Sequence, residues 1–303
     1  MKIFALLLLT TLASVAEGQT QTYFVNSVNE RAVPCQNDPR LIAYKHVTDI
    51  NVDQRAELQR IANGEPSRAP YVFPLCHNFA YNMSQEVLQV LLPGIVFACG
   101  YSGANDERCF LRFGENQVNI PSDFTSDVTF QGITFDSFSG ISTKAYGAPG
   151  SKVIFNDVKW SEFANKAVGV EMRNPAGGTA MSAEVTDALY EGGDGGDMFI
   201  NDGGTLAMTN VTIRRLQQIG RIGARAESII ATKNGGTSTL TKVSASESFL
   251  TVRNIGSKIS VVFEYLTTYF GSFFCSPFPL LPFGVENNAH SERFHTNCLG
   301  CRH

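Results

Sequence analysis

The chain has 303 residues, with 24 Lys and Arg against 28 Asp and Glu and a formal net charge of −4. Hydrophobic residues make up 43% and charged residues 17%, enough apolar surface to build a core, so a disordered chain is excluded. No basic run is longer than Arg214-Arg215, which removes the polycationic footprint on which nucleic-acid binding draws.

In chain order, Met1-Lys2 is followed by the apolar run Ile3 to Leu12 and the small residues Ser14-Val15-Ala16. This is the pattern of a secretory signal peptide over residues 1–18, too short to span a bilayer, which takes ~20 apolar residues. No other membrane segment is expected, because Gln89 and Pro93-Gly94 interrupt the apolar stretch from Val87 to Cys99. Residues 19–70 read as an N-terminal cap. Within it, Asn51-Val52-Asp53-Gln54, then Leu58 and Ile61, then Asn63-Gly64 predict a short capped amphipathic helix.

Seven cysteines follow the leader, and an oxidising compartment would pair most of them. Cys99 with Cys109, clamping Gly100 to Arg108, and Cys35 with Cys76 are the expected bridges. Cys275, Cys298 and Cys301 crowd the C-terminus with their connectivity open. The sequons Asn82-Met83-Ser84 and Asn210-Val211-Thr212 mark Asn82 and Asn210 as glycosylation sites, in keeping with secretion.

Internal repetition is the strongest signal. Small-residue turns open at Gly150, Gly178, Gly204, Gly236 and Gly256, stepping by 28, 26, 32 and 20 residues. After the turn, Val153, Phe155, Val158 and Trp160 match Leu206, Met208, Val211 and Ile213, and Val128, Phe130, Ile133 and Phe135 form an earlier copy. Apolar residues alternate, skip two positions and alternate again. That reads as strand, corner, strand, with Asn156-Asp157 and Thr209-Asn210 at the corners because Asn and Asp tolerate left-handed backbone. Third strands are expected at Gly140 to Thr143, Val168 to Met172, Met198 to Ile200, Ile229 to Thr232 and Thr251 to Arg253. The fold class expected is therefore all-β: a right-handed parallel β-helix of three sheets over residues 71–271, with an irregular C-terminal cap over residues 272–303.

Over roughly Tyr71 to Gly271, including the clamp from Cys99-Gly100-Tyr101-Ser102-Gly103 to Cys109, the chain resembles secreted β-helix proteins of the pectin-lyase-like superfamily. The resemblance implies a functional groove over the third-strand sheet, where alternation would expose Glu171, Arg173, Asp197, Phe199, Asn201, Lys233 and Arg253. Carboxylates and bases there would suit hydroxyl and uronate groups, and Phe199 a sugar ring. The competing reading is the ordinary polar exterior of alternating strands.

Gly192-Gly193-Asp194-Gly195-Gly196-Asp197-Met198-Phe199-Ile200 fits one copy of the nonapeptide calcium repeat, making Asp194 and Asp197 candidate calcium ligands. That motif works by pairing successive turns, and a lone copy also arises as a glycine-rich turn into a strand. The family's glycoside hydrolases carry paired aspartates, Gly-His-Gly and Arg-x-Lys, none of which stands in the coils here; the histidines lie at 46, 77, 290, 295 and 303. The terminal run from His290 to His303 holds zinc-like ligands, although disulfide chemistry fits a secreted chain better.

The expectation is a secreted monomer that binds extracellular polysaccharide or serves as a structural component, with no required cofactor. The alternatives are a calcium-assisted lyase or epimerase on acidic glycans, and a protein-binding adhesive repeat protein.

Overall fold

The computed structural model describes residues 29–100, 103–104, 108–161, 167–192, 197–215, 230–246, 252–255 and 258–262. Over these residues the chain winds as a right-handed parallel β-solenoid of three strand columns. The first column stacks Val72–Leu75, Ile95–Cys99, Asp127–Gln131 and Lys152–Asn156, and its last strand is Lys258–Val262. The second stacks Phe79–Asn82, Cys109–Arg112, Ile133–Asp136 and Lys159–Ser161. Three long strands, Ser182–Gly192, Thr205–Arg215 and Thr237–Ser246, pass through both columns without a break. The third column is a seven-stranded sheet of Leu88–Gln89, Val118–Ile120, Ile141–Ala145, Val168–Arg173, Asp197–Asp202, Ile230–Lys233 and Val252–Ile255. The expected signal peptide over residues 1–18, the C-terminal segment with its three cysteines and the run from His290 to His303 lie outside the described residues.

The repeat forms coils because its inward positions are apolar at strand period. Val153, Phe155, Leu206 and Met208 are all buried in one continuous core. Equivalent positions in successive coils are strand neighbours, ~4.8 Å apart, so an aromatic repeated at one position stacks on its own kind. Phe73, Phe97, Phe130 and Phe155 do so, with centroid separations of 5.9, 5.3 and 5.4 Å. Beside them, Phe135 stacks on Trp160 at 5.6 Å. Each fully buried ring of this size removes roughly 2–3 kcal/mol of apolar surface from water, and no coil can do so without its neighbours.

The corner residues take the expected backbone. Asp157 and Asn210 have φ of 50° and 56°, and Asp187 and Lys242 occupy the same corner at 53°. Lys242 was not expected there. The glycine openings are less regular than the strands they precede: Val153 pairs with Ala183 rather than Met181, so Gly178 lies farther ahead of its strand than Gly150 does.

The cap helix exists, but it runs over Val47–Ala62, starting four residues before Asn51. Val47 and Ile50 join the core at its N-terminal end, and the rest of its inner face is polar. Asn51, Asp53, Gln54 and Glu57 are buried, whereas Leu58 is exposed. The reason is the neighbour: the helix lies against the open edge of Leu88–Gln89, whose backbone groups need partners. Asn51 donates Nδ2–H to the Val87 carbonyl (2.8 Å) and accepts from Gln89 N (2.9 Å). Gln54 repeats the pattern one step on, donating to the Gln89 carbonyl (2.7 Å) and accepting from Leu91 N (2.8 Å). Two side-chain amides thus substitute for the missing strand. The disulfides Cys35–Cys76 and Cys99–Cys109 are both formed, tying the cap to the first coil and the second coil to itself.

Candidate functional site

Which residues face outward on the third sheet follows from its register. Ile141 pairs with Val168, and Val168 with Asp197. Two inward residues follow in each strand: Ser142-Thr143, Gly169-Val170 and Met198-Phe199 are all buried. Alternation starts only after this pair. The row in register with Glu171 is Gln89, Asn119, Lys144, Glu171, Ile200 and Ala231, of which Ala231 is buried. The next contains Arg173, Asp202 and Lys233, with Tyr146 beside Arg173.

Midway along this face the side chains converge. Tyr146 donates its hydroxyl hydrogen to Glu171 Oε2. The Arg173 guanidinium lies over the Tyr146 ring, 5.0 Å from its centroid, and its Nε is 3.8 Å from Glu171 Oε2. The Glu171 side chain is only 15% exposed while that of Arg173 is 47% exposed, so the carboxylate forms the floor and the guanidinium the open side. Burial, then the hydrogen bond to the Glu171 carboxylate, push the Tyr146 phenol up to about 12. It keeps its proton through neutral pH and acts as a donor, not as a base. The Arg173 guanidinium also hydrogen-bonds the Tyr146 side chain, and its side chain is 47% exposed, so part of its planar donor edge is open to solvent. Lys144, paired with Glu171 in register, adds a second cation.

The structure thus joins Glu171 and Arg173 with Tyr146 and Lys144, which the sequence reading missed because it ended that strand at Thr143. Continuing the alternation two more steps would have reached both. Two predicted groove residues are corrected. Phe199 is fully buried, packed edge-on to Phe155 at 6.2 Å, and offers no face to a sugar. Asn201 is also buried, donating to the Thr237 carbonyl (2.9 Å) and Ser238 Oγ (3.1 Å) and accepting from Gly204 N (3.0 Å). It holds the corner between the third and first columns. In both cases the inward pair Met198-Phe199 shifts the alternation by one residue and swaps the faces. Ile200 and Asp202 take the outward places.

Asp197 lies at the entry edge of the sheet, in register with Val168 rather than with Glu171. Lys233 is on the outward row two coils from Arg173, on the order of 10 Å away. Arg253 is placed in the Glu171 row by the backbone register alone. Asp194 lies outside the described residues. Among the described residues no group of three or more His, Cys, Asp or Glu converges. Also among the described residues, no helix is long and apolar enough to cross a membrane.

An open cleft of about 470 Å³ at the cap, lined by Lys45, His46, Phe79, Asn82 and Glu86 among others, lies away from this face. Comparisons with family models, with curated proteins and with solved structures find no match to this chain.

Proposed function

We propose that the protein is a secreted β-helix, related in design to the pectin-lyase-like superfamily, that binds an acidic extracellular polysaccharide along the outer face of its third sheet without cleaving it. The observation that carries this reading is the Tyr146–Glu171–Arg173 cluster, with Lys144 beside it. A guanidinium and an ammonium suit uronate carboxylates, and the partly buried Glu171 accepts from sugar hydroxyls. Coils rise by ~4.8 Å, on the order of one pyranose unit, so a linear chain laid along the axis meets one rung per ring. The non-catalytic part rests on the sequence, whose coils carry none of the paired aspartates, Gly-His-Gly or Arg-x-Lys of the hydrolases it resembles.

The test is calorimetric titration of the mature protein with polygalacturonate, alginate and neutral glucans. An acidic polymer should bind, and Arg173→Ala should weaken it by roughly tenfold, the effect of losing about 1.4 kcal/mol, with Lys144→Ala adding to the loss. Glu171→Gln should shift preference among polymers with different hydroxyl patterns. Absence of binding to every polymer, or binding indifferent to Arg173 and Lys144, refutes the reading. Release of unsaturated ends would replace it with a lyase.

A further inference from the structure

The exposed residue at one corner of the second column is the wrong residue for its backbone. Phe113 has φ of 68°, a left-handed conformation that a bulky side chain resists. The same corner in the next coil is taken by Ser137 at φ 52°. Their equivalence is shown by the ladder Met83 N to Arg112 O (2.7 Å), Phe113 N to Asp136 O (3.1 Å) and Ser137 N to Ser161 O (3.1 Å). A small polar residue therefore satisfies this corner, and burial does not explain the phenyl ring, which is 46% exposed.

What surrounds the ring explains it better. The Arg112 guanidinium lies between two aromatic rings, 5.6 Å from the Phe110 centroid and 5.8 Å from that of Phe113, within the range of cation–π attraction. Arg112 Nε donates to the buried Asp136 (2.5 Å), and its terminal amino groups meet no other acceptor among the described residues. This platform runs alongside the sequon. Ala80 pairs with Phe110 and Asn82 with Arg112, Met83 bonds the Arg112 carbonyl, and a β-carbon on Gly114 would come within 2.5 Å of the Met83 carbonyl oxygen. Asn82 is exposed on the outer face, and its Oδ1 accepts from Ser84 N (3.0 Å) and Ser84 Oγ (2.6 Å), leaving Nδ2 outward beside Arg112.

We propose that Asn82 carries an N-linked glycan and that Phe110, Arg112 and Phe113 form its seat, the apolar C–H face of the first sugars packing on the rings and Arg112 donating to an acetamide or hydroxyl oxygen. A negatively polarised ring face attracts the weakly positive C–H groups of a pyranose, and covalent attachment one rung away supplies the sugar at high effective concentration. The glycan then shields the second column near the cap. This inference rests on entry into the secretory pathway and is independent of the polysaccharide site on the third sheet.

The experiment expresses the chain with a host leader peptide in a glycosylating cell, so entry does not depend on residues 1–18. All forms carry Thr212→Ala, which removes the second sequon. Peptide mapping reads Asn82 occupancy, and thermal unfolding compares the glycosylated protein with Asn82→Gln and Ser84→Ala, each with Phe113 or with Phe113→Ser. The glycan should raise Tm by about 2–4 °C when Phe113 is present and add little in Phe113→Ser, while Phe113→Ser alone should lose no stability in the sugar-free forms. An unmodified Asn82, or a glycan gain equal in both backgrounds, overturns the proposal. Polysaccharide binding by the same proteins reports separately on the third sheet.

Discussion

Glu57 is a carboxylate closed off from water, with its side chain 1% exposed. Burial by itself would raise its pKa. Donors from Arg68 N (2.9 Å), Arg60 (2.6 Å) and the Tyr71 hydroxyl outweigh that and hold the carboxyl below its ordinary value. A depressed folded pKa means stability that is present above the unfolded value, about 4.3, and lost as pH falls through the folded value. Glu57→Gln should therefore lower Tm at pH 7, with the gap from wild type closing below about pH 4; Tm measured from pH 7 to 3 checks this. At the same scale, Glu171 and Arg173 were legible as outward residues because strict alternation runs from the inward Val170 through Arg173. Phe199 and Asn201 were not, because the pair Met198-Phe199 turns two successive side chains inward. A period-two pattern carries no mark of where its phase shifts.

Among elements, the cap helix shows how far a local pattern reaches. Asn63-Gly64 and the helix-forming run upstream made its existence readable, but its apolar contact with the core is made by Val47 and Ile50, not by Leu58. Leu58 and Ile61 suggested an apolar inner stripe, whereas Asn51 and Gln54 face the solenoid because a strand edge attracts amides more than it attracts leucine. Gln54→Leu would keep the helix and strand the Gln89 carbonyl and the Leu91 N–H. A cost of about 2 kcal/mol is expected, from roughly 1–3 kcal/mol for an unsatisfied buried group, and urea unfolding measures it. The corner at Asn201 behaves alike. Its amide reaches the backbone of Gly204 and Thr237 and Ser238 Oγ, and Gly204 lies so close to Met181 O that an added β-carbon would come within 2.4 Å. No sequence periodicity distinguishes such an inward asparagine from an outward one.

At the scale of the whole molecule, coils stack with nearest-neighbour coupling, and the disulfides act on the end that the cap protects. The Cys35–Cys76 bridge closes a separation of 41 residues and Cys99–Cys109 one of 10. If unfolded-chain entropy dominates, removing the first should cost about 4 kcal/mol and removing the second about 3 kcal/mol. Denaturation of Cys35→Ala/Cys76→Ala against Cys99→Ala/Cys109→Ala would show the order; equal or reversed losses would place the effect in native packing instead. Sequence by itself determined the solenoid and its columns, because inward periodicity and turn residues belong to each stretch of chain locally, whereas the two bridges were only expected from cysteine placement and are formed in the fold. Tertiary structure alone decided which outward groups meet. In a solenoid, groups that meet on one face can lie a whole coil apart along the chain, as Tyr146 and Glu171 do. The corners between coils, not the composition of any strand, set the phase that brings such groups together.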